Sequence, residues 1–190
     1  MRVWLIRHGL TALGEQGRYQ GRLDDGLSKA GRAALRPADF TPAHVWVSPA
    51  RRARETAALL FPDAEQRVVP ALREMDFGDF EGRSWREMEN NAAYRAWVDG
   101  GCTGRCPNGE DKAVFCARVN AAFSAILARE RGSGELVIVA HGGTQMAILE
   151  RWGETARAYW QWQRPCGCGW LLETEADGGL RVAEEVGFLR

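Results

Sequence analysis

This sequence is short of long apolar runs, lysine, histidine and net charge. No apolar stretch approaches the roughly 18 residues of a membrane-crossing helix, and no leader-like segment precedes the first apolar strand, so a soluble, cytoplasmic chain without a membrane partner is expected. Basic and acidic residues both number 25, so no global field points to nucleic acid. Lys29 and Lys112 are the only lysines, and arginine carries the rest of the positive charge. That bias suits bidentate phosphate recognition, although GC-rich coding produces it too. The five cysteines are an odd number with no export signal beside them, and free thiols are expected. Cys102-x3-Cys106 and Cys166-x-Cys168 lack the usual zinc-knuckle spacing, and His44 lies far from both, so no metal is expected.

What is present begins at Val3-Trp4-Leu5-Ile6, an apolar, partly β-branched run that reads as a strand buried on both faces. It ends abruptly in Arg7-His8-Gly9. Ligands of a parallel sheet bind beyond the carboxyl ends of its strands, which makes His8 a candidate nucleophile and Arg7 a candidate phosphate holder. Leu136 to Ala140 repeats the pattern: a buried strand, then His141-Gly142-Gly143, then a helix from Thr144 to about Trp152 whose N-terminus adds positive potential. Two histidines at equivalent strand ends point to one shared site. Between the first strand and Ser28 runs a glycine-rich loop, Leu10 to Leu27, whose backbone N–H groups around Gly21 could cradle an anion.

Ser28 caps a helix from Lys29 to about Leu35, and Val45 to Val47 is a second strand. Ser48-Pro49 reads as the N-cap and first turn of a helix reaching about Leu60. Arg51, Arg52 and Arg54 fall where the helix dipole disfavours cations, so at least one should face an anion, Arg52 foremost. Gln66 to Val69 is a third strand. Glu74 follows it amid Met75, Phe77 and Phe80, an apolar setting in which a carboxyl group can carry a proton for general acid catalysis. Ser84 is expected to cap a helix of Trp85, Met88, Tyr94, Trp97 and Val98 that ends at Gly100-Gly101. A long amphipathic helix runs from about Glu110 to Arg131, with Val114, Val119, Phe123, Ile126 and Leu127 on its buried face. Trp170 to Glu173 reads as a last strand at the sheet edge, paired antiparallel with Leu180 to Val186 across Asp177-Gly178-Gly179. The expected architecture is one α/β domain over 1–190, a doubly wound, mainly parallel sheet with helices on both faces and a cap-like insertion at about 72–111.

Five blocks of the sequence resemble the histidine phosphatase superfamily, the phosphoglycerate-mutase-like group. They are Arg7-His8-Gly9-x-Thr11 with Gly17-Arg18-Tyr19-Gln20-Gly21-Arg22-x-Asp24, then Val47-Ser48-Pro49-x-x-Arg52-Ala53-x-x-Thr56-Ala57, Leu72-x-Glu74-x-x-Phe77-Gly78-x-x-Glu81-Gly82 and Val139-Ala140-His141-Gly142-Gly143. The resemblance implies that His8 becomes phosphorylated, that Arg7, Arg52 and His141 hold phosphoryl oxygens, and that Glu74 is the proton donor. It implies that Thr11, Gln20, Gly21 and Gly142 complete the pocket, that no cofactor is needed, and that the ligand is a small phosphorylated metabolite. Leu10 stands where the family commonly has Glu, and Gly14 where it commonly has Asn.

The short cap differs from the longer insertion of dedicated mutases. The compact Leu72-to-Gly82 block looks most like the α-ribazole phosphatase branch, which serves cobalamin assembly, and like small bacterial broad-specificity phosphatases. The Trp-rich stretch 159–170 is then available to stack on a benzimidazole-like base. Monomer and homodimer both stay open. The alternative from another class is a non-catalytic phospho-ligand binder, which Leu10 and Gly14 favour; a zinc protein using His8, His141 and two cysteines is the third.

Overall fold

The computed structural model describes residues 1–153, 157–175 and 179–190. Its elements in chain order are β1 (Arg2–Arg7), α1 (Ala12–Glu15), α2 (Lys29–Ala34), β2 (His44–Val47), α3 (Arg51–Leu60), β3 (Glu65–Val68), α4 (Ala92–Asp99), α5 (Lys112–Arg129), β4 (Glu135–Ala140), α6 (Gly142–Trp152), β5 (Cys168–Thr174) and β6 (Leu180–Gly187). The strands form one sheet in the order β3-β2-β4-β1-β5-β6. The first four of these are mutually parallel, while β5 runs antiparallel to both β1 and β6.

Two apolar layers flank the sheet because side chains alternate along each strand. Val3 and Leu5 of β1 join Leu136 and Ile138 of β4 under α5 and α6, whereas Ile6, Val137, Val139, Val45 and Val47 meet Ala53, Ala57 and Leu60 of α3 on the other face. At the centre, β1 and β4 pair in register from Arg2–Glu135 to Arg7–Ala140, so His8 and His141 leave the sheet at the same level.

Several local expectations change. Helix α3 starts at Arg51 with Ala50 at its N-cap and no side-chain cap, so Ser48 is not its cap. No helix begins at Ser84; residues 85–90 form turns, and α4 starts only at Ala92, where Asn91 Oδ1 accepts from the Tyr94 N–H at 3.0 Å. An asparagine that satisfies a free helical N–H at this point is what sets the start of the helix. In α5, Val119, Phe123 and Ile126 are buried as expected and Leu127 is partly buried, but Phe115 takes the core place expected of Val114, which is 47% exposed. Strand β5 is not the sheet edge, because it pairs with β1 on one side and β6 on the other. Asp177 and Gly178 of the expected turn lie outside the described residues. Among the described residues, no helix is long and apolar enough to cross a membrane.

Candidate active site

His8 follows β1 directly, and its own backbone N–H donates to Ala140 O at 2.9 Å, which extends the pairing of β1 with β4 by one residue. The next N–H, of Gly9, donates to Thr56 Oγ1 at 2.9 Å, tying the turn to α3. The ring of His8 is buried, with Nδ1 2.7 Å from Gly9 O. A carbonyl oxygen only accepts, so Nδ1 carries the proton and Nε2 presents a lone pair. Burial first, then the positive charges of Arg52 and Arg7, hold the His8 pKa well below 6.5, so the ring is neutral at pH 7.

The ring of His141 lies edge-on to that of His8, with centroids 5.2 Å apart at 67°. It too is fully buried, and burial followed by the Arg52 charge holds its pKa well below 6.5. Its Nε2 is 2.7 Å from the fully buried Ser48 Oγ, whose other partner, the Ala50 N–H at 3.3 Å, is itself a donor, so the hydroxyl proton goes to Nε2. That arrangement leaves the proton of the neutral ring on Nδ1.

Arg7 sends Nη1 to Arg164 O at 2.7 Å. Arg52, fully buried, spends its outer nitrogens on backbone carbonyls of the glycine-rich loop: Nη1 on Leu23 O at 2.7 Å, Nη2 on Gln20 O at 3.0 Å and Gly21 O at 3.1 Å. Burial pulls the Arg52 guanidinium below its ordinary pKa, partly offset by the charges of Glu74 and Asp25. Arg7 Nε, Arg52 Nε and His141 Nδ1 are buried with no hydrogen-bond partner. An unpaired buried donor costs about 1–3 kcal/mol, so three on neighbouring residues are the signature of a site shaped for an anion. Helix α6 begins immediately after His141 and adds its positive end.

Glu74 lies on the other flank. Its Oε2 accepts from the Gly143 N–H at 3.0 Å and its Oε1 from the Met75 N–H at 2.9 Å, so the first turn of α6 holds it through an N–H two residues past His141 in the chain. Arg118 of α5, which no sequence signal picked out, grips the segment that carries it: Nη1 donates to Arg73 O at 2.7 Å and Nη2 to Glu74 O at 2.9 Å. Ser48 likewise grips His141 in place of the capping role expected from its Ser-Pro context. Nothing local signals either residue, because both partners are distant in the chain.

A cleft of about 460 Å³ opens over this floor. Arg7, His8, Thr11, Gln20, Glu74 and Gly142 line it, while Arg52, His141 and Gly21 lie behind that surface. Thr11 Oγ1 donates to Gln20 Oε1 at 2.8 Å, and Gln20 Nε2 donates to Asp25. Gly21 does not offer an open cradle of N–H groups: a Cβ there would stand 2.1 Å from Met75 O, so the loop backbone is packed against residue 75. Of the Trp-rich stretch, Trp160 lines the cleft, whereas Trp162 and Trp170 are buried core residues. Among the described residues, no cluster of three His, Cys, Asp or Glu side chains is placed to hold a metal ion.

The model of the histidine phosphatase superfamily (branch 1) matches residues 3–184. The adenosylcobalamin/α-ribazole phosphatase of Salmonella typhimurium is 33% identical over 180 residues, covering 88% of each chain. The crystal structure of the α-ribazole phosphatase from Shigella flexneri superposes with a TM-score of 0.80 at 30% identity, over 96% of this chain and 95% of that one. A phosphoglycerate mutase from Thermus thermophilus superposes with a TM-score of 0.74 at 27% identity, over 98% and 99%.

Proposed function

The chain belongs to the histidine phosphatase superfamily, branch 1, and from that premise we propose that it hydrolyses α-ribazole 5′-phosphate through a phosphohistidine on His8. The observation that carries the chemistry is the set of buried, unpartnered donors on Arg7, Arg52 and His141 around a neutral imidazole whose free nitrogen is Nε2. The substrate follows the relatives, which are named for adenosylcobalamin and α-ribazole phosphatase activity. The five cysteines are all unpaired, which fits the reducing cytoplasm.

The guanidinium groups and the His141 Nδ1–H neutralise the phosphate dianion, so that a nucleophile can approach it. His8 Nε2 attacks phosphorus in line. The N–P bond forms as the ester P–O bond breaks, and the departing alkoxide takes a proton from Glu74 acting as general acid. Glu74, now a carboxylate, takes a proton from water, whose oxygen attacks the phosphohistidine. The P–N bond breaks, inorganic phosphate leaves, and His8 and Glu74 regain their starting states. No step draws on a metal or an organic cofactor.

Steady-state kinetics on α-ribazole 5′-phosphate, 3-phosphoglycerate and p-nitrophenyl phosphate test the assignment, with kcat/KM expected to be highest for the first. Equal, slow turnover of all three removes the specific substrate. In Glu74→Gln, kcat on α-ribazole 5′-phosphate falls by roughly 10²–10⁴-fold. The p-nitrophenyl ester is expected to lose less in its first step, because its leaving group needs no proton.

A further inference from the structure

The outer part of the cleft carries chemistry that the phosphate end does not use. Its wall is aromatic: the rings of Tyr19, Phe77 and Trp97 pack on one another with centroids 5.1 to 6.3 Å apart. The polar atoms of that wall are engaged with protein, since Trp97 Nε1 donates to Gly104 O at 3.0 Å and the Tyr19 hydroxyl pairs with that of Tyr94 at 2.9 Å. What remains for a ligand is ring surface.

Two further tryptophans line the same cleft and stand half out of it, Trp85 55% exposed and Trp160 49% exposed. They come from different parts of the chain, Trp85 from the turns before α4 and Trp160 from the 3₁₀ turn after α6. Arg86 covers the ring of Trp85 at 5.3 Å, and Tyr159 packs edge-on to Trp160 at 4.9 Å, so both indoles are braced. Indoles left at a cavity opening, braced but not buried, are the anchors a flat ring stacks on.

The charges around them point the same way. Arg18 donates to both oxygens of Glu87, at 2.7 and 2.9 Å, and Lys112 Nζ is 2.6 Å from Glu150 Oε1 and 4.1 Å from the centre of the Tyr159 ring. Both cleft-lining cations outside the floor are thus matched by a carboxylate. Among the described residues, a second anionic group such as the carboxylate of a phosphoglycerate would meet no unpaired cation lining the cleft outside the floor; Arg86, which is not a lining residue, lies over the Trp85 ring.

We infer that Trp85 and Trp160 are specificity-determining residues that hold an uncharged, flat heteroaromatic group of the substrate at the cleft mouth while its phosphate sits at His8. This rests on the phosphatase reading for the position of the phosphate only. The test measures binding in a His8→Ala background, which removes turnover, by calorimetry with α-ribazole 5′-phosphate, 1-naphthyl phosphate and inorganic phosphate. Adding Trp85→Ala or Trp160→Ala is expected to weaken both aromatic esters by roughly tenfold each, with Trp→Phe restoring most of the affinity. In the otherwise wild-type enzyme, the preference for 1-naphthyl phosphate over glycerol 2-phosphate falls by a similar factor. If naphthyl binding depends on both indoles and α-ribazole 5′-phosphate binds no better than inorganic phosphate, the stacking pair stands and the cobalamin substrate falls. Losses that are equal for inorganic phosphate and the aromatic esters, or absent for both aromatic esters, overturn the inference.

Discussion

His8 and His141 occupy matching places and end up with opposite chemistry. Each follows a central parallel strand, the two strands pair in register up to the residues before them, and both rings are buried and held neutral. They differ in which nitrogen is already occupied. A backbone carbonyl takes the Nδ1 proton of His8 and leaves Nε2 as an exposed lone pair, whereas Ser48 engages Nε2 of His141 and leaves Nδ1 as an unsatisfied donor. Burial and strand position therefore do not assign the roles of nucleophile and electrostatic support. In the proposed mechanism one hydrogen bond per ring does so, by selecting the tautomer.

The largest expected effect comes from His8, the proposed nucleophile. His8→Ala loses at least about 10⁴-fold in turnover and all acid-labile radiophosphate labelling, assayed on the denatured protein after brief exposure to labelled substrate. His141→Ala is the matching experiment at the other ring. It loses roughly 10²–10³-fold in kcat/KM yet still acquires label, because a donor is gone and the lone pair is not. Label on His141 in the His8→Ala protein would break the distinction between the two histidines.

Ser48→Ala sharpens it, since only the tautomer lock on His141 is removed. A loss of about five- to tenfold in kcat is expected, the worth of one hydrogen bond. Nitrogen-15 chemical shifts of the two rings should show His141 exchanging tautomers while His8 does not.

The smallest effect is on stability. Both histidines have folded pKa values below the unfolded value of 6.5. Between those values the unfolded chain binds more protons, so stability rises with pH across the window and declines as pH falls below about 6.5. Thermal melting from pH 7.5 to 5 checks this. The decline should shrink in His141→Gln, and in wild type with added inorganic phosphate, whose charge opposes the effect of Arg7 and Arg52.

Much of this was legible beforehand where the determinants are local. The apolar runs of β1 and β4 and the breaks at Gly9 and Gly142 showed two histidines at one sheet edge, and the odd placement of Arg52 in the first turn of α3 marked it as special. The failures share a cause. Ser48 resembles a helix cap in a Ser-Pro pair, but its oxygen is claimed by a histidine far along the chain. Asn91 displaced Ser84 as a helix start because its side chain satisfies the Tyr94 N–H. At the start of α5 Phe115 rather than Val114 meets the core, although Val119, Phe123 and Ile126 keep the expected buried face. Trp160, Trp162 and Trp170 look alike in sequence, and only packing separates the one in the cleft from the two inside.

Sequence alone determined which strands would be buried, that they would end in Arg-His and Ala-His at one edge, and that arginine would supply the positive charge beside them. Those are consequences of apolar periodicity and of residue chemistry, and neither needs a distant partner. Tertiary structure alone decided the tautomer of His141, the tethering of Arg52 to the carbonyls of Gln20, Gly21 and Leu23, the grip of Arg118 on the Glu74 segment, and the pairing of the cations at the cleft mouth. Each is a hydrogen bond or ion pair between groups far apart in the chain. Such contacts exist only after the sheet has brought their elements together, and a neutral imidazole has no preferred proton position strong enough to anticipate them.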